Sequence, residues 1–185
     1  MFINLLERKK VRIEGYAAHL LEPARCMVIY TDKGVLVARN HPEFPKWYCT
    51  QSGRFFHLTP KSLREIKPQF SPAMARGFTA EYPTSGGYGG SCYPDVLWYP
   101  NKKCCHHFMW EAWVGPRTKG MEIDHVNGNK FDWRLDNLEE VTPEENRLRA
   151  RALRKLRSAG IDPTDRDNET LHKVFDMERH AAERE

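Results

Sequence analysis

Between His106 and Asn146 the chain gathers side chains that can ligate a cation or carry a proton: His106, His107, Asp124, His125, Asn137 and Asn146. Carboxylate and amide oxygens are hard donors, suited to Mg²⁺ or Mn²⁺ with water and phosphate filling other positions. An imidazole with an unperturbed pKa of about 6.5 is largely neutral at physiological pH and able to accept a proton. Such groups match the needs of phosphodiester hydrolysis: a nucleophile made from water, charge neutralisation on the phosphoryl oxygens and help for the leaving oxygen. Singly they carry little weight. An Asp-His pair is commonly surface decoration, and asparagines beside turns, such as Asn127, Asn129 and Asn137, commonly serve the backbone.

The elements that must position these groups can be read from the same stretch. Phe108, Met109, Ala112 and Trp113 have helical spacing that ends before Gly115-Pro116. Met121-Glu122-Ile123 reads as a strand, and Val126-Asn127-Gly128-Asn129-Lys130 as a turn with residues suited to left-handed backbone angles. Thr142-Pro143-Glu144-Glu145 is a capping box with Pro at the first helical position, so the spacing predicts a helix from Pro143 to near Gly160. Its Leu148, Ala152 and Leu156 form an apolar stripe, while Arg147, Arg151, Arg154 and Lys155 gather on another face.

The stretch resembles the HNH nuclease family, in particular the HNH homing endonucleases and their phage relatives. The resemblance runs through His106-His107-Phe108-Met109-Trp110-Glu111-Ala112-Trp113, Gly115-Pro116, Lys119 to Lys130, Arg134-Leu135-Asp136-Asn137-Leu138 and Val141-Thr142-Pro143-Glu144-Glu145-Asn146. It implies a ββα-metal fold, in which a two-stranded hairpin packs against a helix with one divalent cation between them. Carried over by position, Asp124 and Asn146 are the metal ligands and His125 is the general base. Asn137 holds the loop and orients the histidine or a phosphate. His106 is aligned with the family's first histidine, although His107 stands beside it and either could face the site. A zinc cluster of Cys104, Cys105, His106 and His107 is disfavoured, because four adjacent residues do not wrap one tetrahedral ion. His125 follows Asp124 directly, so on an extended strand their side chains leave opposite faces, and a bend or bulge is needed for both to serve one phosphate.

The rest of the 185 residues is less informative. With 29 Lys and Arg against 25 Asp and Glu, the net charge of +4 permits a polyanionic partner without demanding one. The positive field is local to the helix after Pro143, where Arg147, Arg149, Arg151, Arg154 and Lys155 are expected to contact the DNA backbone. No apolar run is long enough to span a bilayer, and Met1–Leu6 is followed at once by charge, so no membrane or secretory segment is expected. Five scattered cysteines read as reduced thiols of a cytoplasmic protein. Residues 3–22 have helix-like apolar spacing, weakened by the β-branched Val11 and Ile13. Residues 26–30 and 35–39 predict a hairpin around Thr31-Asp32-Lys33-Gly34. From Trp47 to Lys103, aromatic runs punctuated by prolines suggest an irregular antiparallel sheet, and Gly86 to Gly90 a flexible loop. A final helix is expected over about Asn168 to Glu183, with Leu171, Val174, Phe175 and Met177 as its apolar stripe.

The expected fold is therefore α+β: a β-rich region over 1–103, an HNH core with its basic helix over 104–160, and a C-terminal helix over 161–185. The expected activity is metal-dependent cleavage of DNA, nicking or double-stranded, with Arg54, Lys61, Arg64 and Lys67 of the β-rich region adding contacts to the duplex. A catalytically silent DNA-binding or phage-structural scaffold is the alternative, and a toxin-type nuclease a third.

Overall fold

The computed structural model describes residues 8–13, 16–21, 25–68, 78–79, 82–83, 95–97 and 103–184. Seven strands, β1 (Arg8–Ile13), β2 (Tyr16–Leu21), β3 (Cys26–Thr31), β4 (Gly34–Asn40), β5 (Trp47–Thr50), β6 (Phe55–Leu58) and β7 (Leu63–Ile66), form one antiparallel sheet in chain order. The sheet curls until β1 approaches β7. The apolar spacing of residues 3–22 favours helix. Their described part is instead the β1–β2 hairpin, in which Val11 pairs with Ala18 and Ile13 with Tyr16, so β-branched and aromatic preference prevails over the helical spacing.

The β3–β4 hairpin matches expectation. Gly34 takes φ +122°, and Thr31 Oγ1 accepts from the Lys33 N–H at 3.1 Å. Met27, Ile29 and Ala38 point to one face, where they close a buried cluster with Tyr48, Phe56 and Leu63. Across β4 to β7 the sheet is more regular than the proline punctuation suggests, because the prolines fall between strands. Two short hairpins follow, β8 (Phe78–Thr79) with β9 (Tyr82–Pro83), and β10 (Asp95–Leu97) with β11 (Lys103–Cys104). Gly86 to Gly90, like Trp98 and Tyr99, lie outside the described residues.

The C-terminal part runs α1 (Cys105–Trp113), β12 (Glu122–His125), β13 (Leu138–Val141), α2 (Pro143–Ser158) and α3 (Asn168–Ala182), giving an α+β protein. Among the described residues no helix is long and apolar enough to cross a membrane. Cys105, Phe108, Met109 and Ala112 of α1 share one core with Ile123 and Leu138 of the β12–β13 hairpin and with Cys49 and Phe55 of the sheet. Polar contacts follow the same seam. Trp113 Nε1 donates to Cys49 O at 3.1 Å, Trp133 Nε1 to Gly53 O at 2.8 Å, and Leu135 N to Gln51 O at 3.0 Å. The sheet is thus the platform on which α1 lies.

A second core joins Val126, Ala152, Leu153, Leu171 and Phe175, packing α3 on α2. Both helices are capped as their sequences require: Thr142 Oγ1 accepts from Glu145 N, and Asp167 Oδ1 from Thr170 N. The Glu145 carboxylate goes to Arg149 and Arg179, at 3.0 and 2.9 Å. Met177, expected in the apolar stripe of α3, is 72% exposed, and Glu178 is buried. Lys155 Nζ at 2.7 Å explains how α3 tolerates that carboxylate.

Candidate active site

The β12–β13 hairpin keeps an unbroken register, with Glu122 opposite Val141, Asp124 opposite Glu139 and His125 opposite Leu138. Alternation along β12 divides the site in two. Ile123 and His125 face α1: Ile123 joins the core around Phe108, and the His125 ring lies 5.0 Å from the His106 ring. Glu122 and Asp124 face α2, where Asn146 Nδ2 donates to Glu122 Oε2 at 2.6 Å and Arg149 Nη1 lies 3.9 Å from Asp124 Oδ2. The bulge that would turn both side chains to one side is absent from the described strand, so the ligand and base expected at adjacent positions leave opposite faces just before the turn.

That turn is held from inside. Asn137 is buried, its Oδ1 accepts from Asn127 N at 3.1 Å, and its Nδ2 donates to Asn127 Oδ1 at 3.0 Å and to Asp132 O at 2.7 Å. Gly128 sits at φ +68°, and a Cβ there would meet Leu153 Cδ1 at 2.7 Å and Arg157 Nη2 at 2.9 Å. The turn therefore needs a glycine chiefly for its angle, since the two atoms that a Cβ would meet are the ends of flexible side chains.

Asp124 is the electrostatic anomaly of the α2-facing side. Burial pushes its carboxyl up to about 6 although Arg149 and the His125 N–H pull the other way. Oδ1 accepts from His125 N at 2.8 Å, while Oδ2 is buried without a hydrogen-bond partner among the described residues. An acidic oxygen held this way has the capacity to accept a cation. Asn146, in the first turn of α2, uses its amide nitrogen on Glu122, so its carbonyl oxygen is the atom that could ligate a cation. Asp124 and the Asn146 carbonyl, with Glu122 beside them, offer one or more anionic oxygens and a neutral one, a hard donor set of the kind that fits Mg²⁺ or Mn²⁺.

The α1-facing side is made of histidines. His106 is buried and His107 half-buried, with ring centroids 4.1 Å apart. Of the two, His106 faces His125, and His107 Nε2 lies 3.4 Å from Arg117 Nη1. Burial lowers the pKa of His125 to about 4, of His107 to about 4 and of His106 to about 2, so all three are neutral at physiological pH.

On α2, Arg147, Arg151, Arg154 and Lys155 are exposed, with Arg151 and Lys155 beside Glu178. Arg149, grouped with them on sequence, is turned inward and only 6% exposed. Sequence reasoning had a usable signal here, since positions 149, 152, 153 and 156 share a helical face. Glu122 and Glu139 were missed too, although Glu122 lies two residues from Asp124 and so on the same strand face.

His41, Glu43 and Glu111 also bring ligand-type atoms within 4.8 Å of one another. Their charge is already met. Glu111 bonds His41 Nε2 at 2.9 Å, pairs with Lys103, and has Arg117 Nε at 3.2 Å. Burial raises the Glu111 carboxyl, yet the His41 and Lys103 contacts outweigh it and hold it down at about 2. The cluster pins α1 to the loop after β4 and to β11 and has its cations built in.

Residues 103–148 match the family model for the HNH endonuclease. Over 41 residues the chain is 49% identical to Protein 3.8 of Escherichia phage T7, covering 22% of this chain and 34% of that protein. Over 112 residues it is 27% identical to YosQ of Bacillus subtilis (strain 168), a SPbeta prophage-derived protein whose name proposes an HNH homing endonuclease, covering 60% and 56% of the two chains. The chain thus spans about a third and about half of these relatives. No solved structure gives a significant match. The segment similar to the HNH endonuclease, 103–148, holds α1, the β12–β13 hairpin and the start of α2.

Proposed function

We propose that this protein is a metal-dependent endonuclease that hydrolyses phosphodiester bonds of DNA, with residues 104–160 as its nuclease core. The observation that carries the proposal is Asp124 Oδ2, a buried acidic oxygen without a hydrogen-bond partner among the described residues, one strand position from His125 and on the same side as Asn146. Asp124 and Asn146 would hold one Mg²⁺ or Mn²⁺, which when bound supplies charge neutralisation on the phosphoryl and leaving oxygens.

The chain's own groups do the rest. His125 is neutral and able to accept the proton of the attacking water. Its lowered pKa makes it a weak base in the free protein, and the negative charge of a docked phosphate raises it toward a working value. Because Asp124 and His125 leave opposite faces, the scissile phosphate has to sit at the end of β12, beside the turn, to reach both. Asn137 keeps that turn in shape, and His106 packs beside the base. The N-terminal turn of α2 offers further N–H donors to phosphate.

Arg147, Arg151, Arg154 and Lys155 are the proposed contacts to the DNA backbone, with Arg54, Lys61, Arg64 and Lys67 of the β-rich region (1–103) extending them. A cytoplasmic setting is part of the same reading, in which the scattered cysteines, Cys26 and Cys49 among them, serve as reduced thiols. Incubation of supercoiled plasmid with Mg²⁺, Mn²⁺ or EDTA tests the activity. The expected result is relaxed or linear DNA with metal and none with EDTA, lost in His125→Ala. Unchanged plasmid with either metal, while DNA is still bound, would establish the silent scaffold instead.

A further inference from the structure

Asp124 and Glu139 stand directly opposite on β12 and β13, so one rung of the hairpin brings two carboxylates to the side facing α2. Such a pair is destabilising unless a cation lies with it. The Arg149 guanidinium is that cation, with its side chain only 8% exposed. It is not shared evenly. Nη1 is 2.8 Å from Glu139 Oε2, in a charge contact rather than an aligned hydrogen bond, but 3.9 Å from Asp124 Oδ2. Nε is 3.0 Å from Glu145 Oε1, and Cζ lies 5.0 Å from the centre of the Phe175 ring.

The carboxylates that draw Arg149 away are themselves held from α3, beyond the segment that the family model matches. His172 Nε2 lies 2.8 Å from Glu139 Oε1, and Arg179 Nη2 lies 2.9 Å from Glu145 Oε1. Arginine is a natural two-pronged partner of a carboxylate. Were Arg149 to settle on Asp124, it would cover the lone pairs that a divalent ion needs and set a positive charge against that ion. We propose that Glu139 and Glu145, anchored from α3 by His172 and Arg179, hold the Arg149 guanidinium off Asp124 and so keep Asp124 Oδ2 open to a divalent cation. The inference rests on the reading of Asp124 as a metal ligand. It makes Arg149 and α3 positioning elements of the metal site, not contacts to DNA.

The test is Mn²⁺ affinity of the full chain without DNA, by calorimetry or by the electron paramagnetic resonance signal of free Mn²⁺. The variants are Glu139→Gln, Arg149→Met and the double, each checked for fold by circular dichroism. Loss of a group that orients a ligand weakens metal binding by about 10- to 100-fold, and that range is expected for Glu139→Gln when Arg149 is present. In the Arg149→Met background the same change should move affinity by no more than about twofold, the ordinary scatter of independent effects. If Glu139 acts only through its own charge, it weakens binding by one factor in both backgrounds, and the proposal is overturned. Should the double variant fail to fold, His172→Gln combined with Arg179→Gln probes the more exposed ends of the network. Weaker Mn²⁺ binding is expected there, and unchanged affinity overturns the proposal. A wild-type protein whose Mn²⁺ binding does not depend on Asp124 would refute the metal-site reading itself; Asp124-dependent binding with additive variants would refute only the restraint.

Discussion

Replacing Asp124 by Asn should remove metal binding and, in the metal-free protein, raise stability. The ordinary carboxyl value of 3.8 is pushed up to about 6 at this position. At about 1.4 kcal/mol for each tenfold change in proton affinity, the ionised side chain costs the folded metal-free protein about 3 kcal/mol at pH 7. Asparagine keeps an oxygen to accept the His125 N–H, now at 2.8 Å. That figure is already net of the attraction to Arg149, but the amide brings a new buried N–H donor to satisfy, so the net gain shrinks to about 1 to 2 kcal/mol. For a chain of this size that is a rise in melting temperature of about 2 to 8 °C. The sign with pH follows from a folded value above the unfolded one. The native carboxyl costs nothing below the unfolded value and its full amount above pH 6, so the variant's advantage should be widest at pH 7 to 8 and fade toward pH 4. The assay is thermal unfolding in EDTA across that range, repeated with excess Mn²⁺, where only the wild type should gain. A variant less stable than the wild type in EDTA at pH 7.5 would refute the reasoning, because Asp124 would then be a structural partner of Arg149 and not an acceptor held for an ion.

The buried histidines set the opposite trend for the protein as a whole. His106 and His125 have values lowered to about 2 and about 4, so their contribution is full above the unfolded value of 6.5 and is lost as pH falls; stability should drop by about 2 to 4 kcal/mol between pH 7 and pH 5, read by denaturant titration, and a flat profile would contradict their burial as neutral groups. Gly128→Ala, at φ +68° against Leu153 and Arg157, should cost about 1 to 3 kcal/mol, and a melting temperature equal to the wild type's would show that the turn tolerates a side chain. Changing Arg147, Arg151 and Arg154 together to Gln should weaken binding of all DNA sequences alike and flatten the slope of log affinity against log salt by roughly 0.9 for each phosphate that is no longer neutralised. An unmoved slope, measured in a His125→Ala background, would return that face of α2 to plain solvation.

The C-terminal part was legible because its signals are local. The Thr142 cap, Pro143, the Asn127-Gly128 turn and the apolar spacing of α1 each act within a few residues, and each element appears within a few positions of its expected bounds. What sequence periodicity misjudged depended on long-range pairing. Residues 8–13 and 16–21 became strands because β2 pairs with β3 across the sheet, an interaction that a helical count of the segment alone does not contain. Arg149 was misgrouped for a related reason. Its charge suggested a solvated face, but Glu139 and Glu145 meet that charge from β13 and from one turn earlier in α2. The Asp124-His125 pair was visible as a motif, and strand alternation correctly warned that its two side chains part company. Nothing local in the sequence announced that α3 reaches back to the hairpin through His172 and Arg179.

The most direct test of the metal site is a crystal soaked with Mn²⁺ and examined by anomalous diffraction. One ion should appear with Asp124 Oδ2 and the Asn146 carbonyl oxygen about 2.0 to 2.6 Å away, and no ion should appear at Asp124→Asn. An ion seated instead at His41, Glu43 and Glu111, or an Asp124 carboxylate and an Asn146 amide too far apart to share one, would contradict the account.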